Sequence, residues 1–323
     1  MPEESYDVAV LGSGTGGYST ALRAAQLGKR VALIERDDRL GGTCLLRGCI
    51  PTKALLQSAA VMDEINRSDT WGITASGEPD WDGIQSFKTK VVDKLVNGLT
   101  GLVKMRQIDV IQGTGKLVPG KVAVDVDGRA AAATDVVLAS GSYARLLPGM
   151  EIGERVITSD QALTLGFIPR SAVVIGAGAV GLEFASFYRS MGAEVTVVEA
   201  LPRMAPLEDE EISKELDRAF RKRGIRSFTG AKVQDVKETG DAVEVTYETG
   251  GPSETVRADV CLVAVGRGPV SDGVGYEEAG IQLERGYVKV DGQLQTTVPH
   301  VWAVGDVAAT PYQIGRASCR ERV

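Results

Sequence analysis

One segment of this chain occurs twice. Residues 8–35 read VAVLGSGTGGYSTALRAAQLGKRVALIE, and residues 172–199 read AVVIGAGAVGLEFASFYRSMGAEVTVVE. The offset of 164 is kept without a gap, and Gly12/Gly176, Gly14/Gly178, Gly17/Gly181, Gly28/Gly192, Val31/Val195 and Glu35/Glu199 are identical. Each copy has the same plan. An apolar run with strand character leads into Gly-x-Gly-x-x-Gly, a helical stretch follows, then a glycine, then a second apolar run ending in Glu. A chain that repeats this plan is constrained to an α/β fold with two Rossmann-like units.

The plan has a physical logic. The first glycine makes a tight strand-to-helix turn, the second lets the backbone approach a pyrophosphate, and the third lets the helix pack on the sheet. The helix N-terminus offers N–H groups and the positive end of its dipole to phosphates. The Glu, 18 residues after the last glycine, accepts hydrogen bonds from ribose hydroxyls. A single Gly-x-Gly-x-x-Gly is weak evidence, because an ordinary glycine turn looks the same. Here strand, helix and acid accompany it twice, so the chain is expected to hold two dinucleotides and to pass electrons between them. Glu199 favours NAD over NADP, since a carboxylate repels a 2′-phosphate. Ala200, Leu201 and Pro202 follow it, and Arg203 comes only four residues later.

Composition narrows the function classes. The 323 residues fit about two domains of ~150. Lys and Arg total 36 against 43 Asp and Glu, a net charge of −7, which argues against a nucleic-acid binder or a polybasic membrane-surface protein. The 39 glycines exceed the usual ~7% and follow no collagen-like period, so they serve turns and close backbone approaches. A single histidine excludes a multi-His metal site within the chain, and no metal site is expected. The acidic start (Met1-Pro2-Glu3-Glu4) does not read as a signal peptide, and no run approaches the ~18 apolar residues of a membrane span. Four cysteines in a chain of this length are not a disulfide framework, so a reducing cytoplasm is expected.

Between the repeats lies GGTCLLRGCIPTKALL, residues 41–56, with four residues between Cys44 and Cys49. A helix is expected from Lys53 through Ala60 and beyond. Cysteines near a helix N-terminus form reactive thiolates. On one regular helix these two would point apart, so a disulfide needs a local distortion, which Gly48 can supply. Two buried cysteines acting as small hydrophobes are the bland alternative. Half of a zinc site is another, although the spacing is wrong and no second ligand pair exists.

The order of motifs resembles that of the flavin-dependent pyridine nucleotide–disulfide oxidoreductases. They show an FAD turn, a cysteine pair, an NAD turn and then a stretch like TTVPHVWAVGD at 296–306. Within that family, GGTCLLRGCIPTKALL, RAFRKRGI (218–225) and VAVGRGPVSDGVGYEEAGI (263–281) are most similar to dihydrolipoamide dehydrogenases of actinobacterial type. The resemblance covers residues 5–313. It implies a redox-active disulfide in which Cys49 is the thiolate beside the flavin and Cys44 the interchange thiol that attacks substrate. Lys53 would sit near the flavin and pair with Glu183, which otherwise reads as a solvated helix glutamate. FAD would be bound by Gly12, Gly14, Gly17, Glu35, Gly42, Thr43, Lys53, Gly115, Ser140, Gly141, Ser142 and Asp306. NAD would be bound by Gly176, Gly178, Val180, Gly181, Glu199, Val233 and Gly266. Ser140 stands where the family usually has Thr. The implied substrate is dihydrolipoamide on a lipoyl domain of a 2-oxoacid dehydrogenase complex, and the full-length protein would be a homodimer. Another flavin disulfide or mercuric reductase, or a non-catalytic fragment, are the alternatives.

The expected domains are an FAD domain with the redox disulfide (1–149), an NAD domain (150–270) and a return segment completing the FAD domain (271–313). Against the resembled family, the C-terminal dimerisation domain with its His-Glu pair is expected to be absent from this chain. His300 does not match that position and reads as a turn residue. The last ten residues, IGRASCRERV (314–323), match the translation of a sequencing-adapter oligonucleotide, ATC GGA AGA GCG TCG TGT AGG GAA AGA GTG, and read as a non-native tail. Cys261 reads as core, Arg218–Arg226 as a solvated helix face, and Ile84, Phe87, Val91, Val92, Leu95, Leu99, Leu102 and Val103 as one helix facing the core. Residues 121–139 read as strands about an Asp127-Gly128 turn. Val243, Val245 and Tyr247 read as a second small β-meander.

Overall fold

A computed structural model describes residues 5–308. Residues 314–323, read from sequence as a non-native tail and including Cys319, lie outside the described residues. The chain divides into two compact units. One holds residues 5–49, 92–143 and 268–308; the other holds 50–91 and 144–267.

In the first unit, five parallel strands lie in the order Asp109–Gln112, Val31–Glu35, Ser5–Leu11, Arg129–Leu138 and Val301–Ala303. The start of Arg129–Leu138 also pairs antiparallel with Ala123–Val126, which pairs in turn with Gly115–Leu117. Every residue of Val31–Glu35 is buried, as in a parallel strand covered on both faces. The Asp127-Gly128 turn has φ of 52° and 84°, the paired positive values that a two-residue hairpin requires. His300, at φ 62°, is a turn residue whose carbonyl accepts from Val136 N–H.

The second unit repeats the scheme. Its parallel strands lie in the order Arg226–Thr229, Glu194–Glu199, Ser171–Ile175, Val260–Val263 and Val156–Ile157. In both sheets the strand that leads into the glycine turn is central, and the strand order reverses beside it. That reversal is where open α/β sheets bind ligands. Cys261 is fully buried in the interior strand Val260–Val263, and burial pushes its thiol up to about 12. An antiparallel meander, Lys232–Thr239, Ala242–Glu248 and Glu254–Ala258, buries Val243, Val245 and Tyr247.

Two helical segments are set by their packing. Residues 50–91, assigned to the first domain by their place in the chain, group with residues 144–267. The cause is packing: Leu55 and Ala59 join the core of Phe184, Phe187 and Tyr188, and Trp81 meets Phe187 in a tilted ring contact while its Nε1 donates to Leu165 O at 2.8 Å. Helix Trp81–Met105 buries Val92, Val96, Leu99 and Val103, but Phe87, Leu95 and Leu102 are exposed. Its apolar arc is wider than the surface covering it, so the periodicity marked the helix correctly and overstated its buried face.

Glu238 ties the meander to the start of the second unit. Its Oε1 accepts from the N–H groups of Arg155 and Val156, both at 2.7 Å. Partial burial raises its pKa, but the backbone N–H bonds from Val156, Arg155 and Glu154 outweigh this and hold the carboxyl below its ordinary range. A depressed folded-state pKa stabilises the fold above the unfolded-state value and loses that effect as pH falls through the folded value. Glu238→Gln is therefore expected to lower Tm by a few degrees at neutral pH. Thermal melts of both proteins should converge as the pH is taken down from 5 towards 3.

Candidate active site: two dinucleotide turns and a cysteine pair

The two glycine turns have the same geometry. Gly12 and Gly176 both have φ of 104°, and a Cβ on either would lie 2.3 or 2.4 Å from the carbonyl oxygen of Ala139 or Ala264. A Cβ on Gly17 would lie 1.8 Å from Gly12 O, and one on Gly181 2.0 Å from Gly176 O, so the third glycine lets the helix sit on its own turn. Gly14 and Gly178 are different. Each caps a helix with extended backbone, and a Cβ there would meet nothing within 4 Å. Each faces open space that a side chain would fill, which is what close approach of a diphosphate to backbone needs. The first intrahelical bonds run from Tyr18 N to Gly14 O and from Leu182 N to Gly178 O. The N–H groups preceding them have no acceptor within the helix and lie at its positive end.

Glu35 and Glu199 are buried and hold the turns themselves. Glu35 Oε2 accepts from Ser13 N at 2.8 Å and Ser13 Oγ at 2.5 Å; Glu199 Oε2 accepts from Ala177 N at 2.6 Å. The other oxygen of each accepts from the backbone two residues on, at Asp37 N and Leu201 N. A carboxylate has about four lone-pair sites, so capacity remains for ribose hydroxyls. The expected sugar contact thus comes with an anchoring task that the motif alone did not reveal.

The other expected dinucleotide contacts are arranged as follows. In the first unit, Gly141 has φ of 77° and open space beside it. Ser140 Oγ donates to Val270 O at 2.6 Å and accepts from the buried Tyr276 hydroxyl at 2.9 Å. Ser142 Oγ donates to Asp306 Oδ2 at 2.6 Å. Gly115 is buried, and a Cβ there would strike Leu11, Val124 and Ile34, so its local requirement is core packing. In the second unit, Val180 is exposed on the first turn of helix Ala179–Ser190, Gly266 has φ of 119° with open space, and Val233 packs against the meander core.

The cysteine segment is built onto the first turn. Gly41 N–H reaches both Ser13 O and Ser13 Oγ at 3.1 Å, and a Cβ on Gly42 would lie 2.5 Å from Gly14 Cα. Thr43 and Cys44 lie on helix Gly42–Arg47, which stops at Gly48 (φ −145°, ψ −113°); helix Cys49–Asn66 starts at the next residue. This break brings the two sulfurs together. Cys44 and Cys49 are both half-buried. The Cys44 thiol is pushed far up, first by its hydrogen bond to Cys49, then by burial and by repulsion from a Cys49 thiolate. The Thr15 hydroxyl also bonds the Cys44 sulfur and works against that rise. Thr15 was not among the residues expected from sequence; nothing in its spacing marks it. On the second helix, Lys53 Nζ lies 2.6 Å from Glu183 Oε1, so Glu183 carries an ion pair with a largely exposed partner.

A family model for pyridine nucleotide-disulphide oxidoreductases matches residues 6–320. The chain belongs to this family. Among curated relatives, a dihydrolipoyl dehydrogenase of Bacillus subtilis is 40% identical over 94% of this chain and 67% of its own length. One from Corynebacterium glutamicum is 38% identical, over 95% and 67%. The chain thus spans about two thirds of their length. Among solved structures, the HOCl-induced flavoprotein disulfide reductase RclA of Escherichia coli superposes with a TM-score of 0.86 at 29% identity, over 98% of this chain and 70% of that one.

The two kinds of glycine separate experimentally. Gly181→Ala should cost about 1–3 kcal/mol or more through overpacking, seen as a lowered Tm. Gly178→Ala should leave Tm unchanged and weaken NADH binding about tenfold, the loss of roughly one good hydrogen bond, read by isothermal titration calorimetry.

Proposed function

We propose that this chain carries the FAD- and NAD-binding portion of a dihydrolipoyl dehydrogenase that oxidises dihydrolipoamide, with NAD+ as final acceptor. The observation that carries this reading is the seat of the cysteine pair. Cys44 is bonded by Thr15, the first residue of the helix that opens at Gly14, so the thiols stand at the mouth of the first dinucleotide turn. The first turn then takes FAD and the second NAD. Arg203 spends its guanidinium on Pro206 O and Glu208 O, both at 3.1 Å, which leaves Glu199 to favour NAD over NADP. By chain order the domains are an FAD domain 1–149, an NAD domain 150–270 and a return segment 271–313, with residues 50–91 grouped by packing with the NAD domain. The enzyme works in the cytoplasm on the lipoyl domain of a 2-oxoacid dehydrogenase complex, and its full-length form is a homodimer.

The chemistry follows from the two sulfurs. In the oxidised pair, a substrate thiolate attacks Cys44 Sγ, the Cys44–Cys49 bond breaks, and Cys49 leaves as thiolate. The second substrate thiolate attacks the sulfur bound to Cys44, releases lipoamide and returns Cys44 as a thiol. One substrate proton ends on Cys44 and the other goes to solvent. Exchange is fastest when the leaving thiol has the lower pKa. The bond to Cys49 and burial push the Cys44 thiol up, which disfavours Cys44 as the charged sulfur of the pair. Bound FAD and NAD+ supply the two-electron redox chemistry. Lys53, held by Glu183, places a positive charge four residues along the helix from Cys49.

The alternative is another disulfide or mercuric reductase of the same family, the class to which the Escherichia coli neighbour belongs by name. Steady-state rates of the full-length protein with dihydrolipoamide, low-molecular-weight disulfides and Hg(II) distinguish them; inert dihydrolipoamide would overturn the assignment. Cys44→Ser should abolish dihydrolipoamide oxidation, by about 10³-fold or more, because no group remains to form the mixed disulfide. The same variant should still reduce ferricyanide with NADH, a route that bypasses the thiols.

A further inference from the structure

The internal repeat runs further in structure than in sequence. Past Glu35 and Glu199, the segments RDDRLG (36–41) and ALPRMA (200–205) share a single identity, Arg39/Arg203. Their hydrogen bonds nevertheless coincide at the same offset of 164. Asp37 N donates to Glu35 Oε1 at 2.9 Å, and Leu201 N to Glu199 Oε1 at 2.7 Å. Leu40 and Met204 are both buried. Gly41 N donates to Ser13 O at 3.1 Å, and Ala205 N to Ala177 O at 2.8 Å. Gly41 and Ala205 both have positive φ, 127° and 43°.

Ser13 and Ala177 are the residues between the first and second glycines of each turn. Each is held on both sides, its N–H by the carboxylate and its C=O by the residue of positive φ. In the second unit that residue is an alanine in a conformation L side chains seldom adopt. The surrounding loop keeps it there: Ala205 O accepts from Glu208 N at 2.9 Å and from Ser213 Oγ at 3.2 Å, and Arg203 binds the carbonyls of Pro206 and Glu208. The first unit cannot use alanine at the matching place, because a Cβ on Gly41 would lie 2.5 Å from the Leu45 side chain.

We propose that Ala205 is a positioning residue for NAD binding. Its left-handed backbone aims an N–H at Ala177 O, completing with Glu199 a clamp that fixes the peptide leading into Gly178. The inference rests on the reading of the second turn as the NAD site. NADH binding to the whole chain by titration calorimetry, with Tm and flavin content recorded alongside, tests both. A β-branched residue at positive φ is strained out of that region. Ala205→Val should therefore lose the bond and weaken NADH about three- to tenfold, the range for one hydrogen bond. Ala205→Gly keeps the conformation and should bind NADH as tightly as the unchanged chain. Flavin content should be the same in all three. Unchanged NADH affinity in Ala205→Val would overturn the proposal, as would an equal loss in Ala205→Gly or a parallel loss of flavin. An unchanged chain that holds flavin but does not bind NADH would overturn the assignment of the second turn instead.

Discussion

A strand that turns straight into a helix must leave the first N–H groups of the helix without protein acceptors if they are to meet a phosphate. The peptide just before them then has no regular structure to hold it. Both turns meet this constraint with a buried carboxylate at the end of the next strand, Glu35 or Glu199, which takes the N–H of Ser13 or Ala177. The carboxylate is affordable there because backbone donors solvate it in place of water. With the intervening peptide fixed, Gly14 and Gly178 each keep one side on which a Cβ would meet nothing within 4 Å.

The cysteine chemistry depends on that arrangement. Gly41 and Gly42 lie against Ser13 and Gly14, so the segment that closes the first clamp is also the entry to the helix of Cys44. Gly48 then ends this helix one residue before the next begins at Cys49. Two glycines that fit the turn and one that breaks the helix bring the sulfurs together beside Thr15. From that placement the Cys44 thiol is pushed up, first by its bond to Cys49 and then by partial burial.

Much of this was legible in the sequence, because glycine identities report backbone constraints directly. The roles assigned to the three glycines match positions where a Cβ collides with backbone or meets nothing, and the two sheets follow from the repeated strand–turn–helix plan. Other parts were not legible, for separate reasons. Thr15 and Ala205 act through one hydrogen bond each, and no spacing rule marks such bonds. The anchoring by Glu35 and Glu199 was hidden behind their expected contact with ribose. Residues 50–91 were placed by chain order, whereas Leu55 and Trp81 take their partners from side-chain packing that chain order does not encode. On helix Trp81–Met105 the apolar period was real, but periodicity cannot tell how wide a face the neighbours cover.

The two clamps differ where their tasks differ. In the first unit the residue after Gly41 is Gly42, pressed on Gly14 Cα, and the chain turns at once into the redox helix beside the turn. In the second unit the residue after Ala205 is Pro206, Leu207 is 95% exposed, and helix Glu210–Lys222 begins only after further loop. Equivalent hydrogen bonds thus lead to a covered turn in one unit and a bare one in the other. A cofactor that stays bound through many turnovers suits the covered turn, and one that must leave after each hydride transfer suits the bare one. The tolerance for alanine at 205 is part of the same distinction: with no redox helix folded back on it, the second clamp has room for a Cβ that Gly41 cannot have.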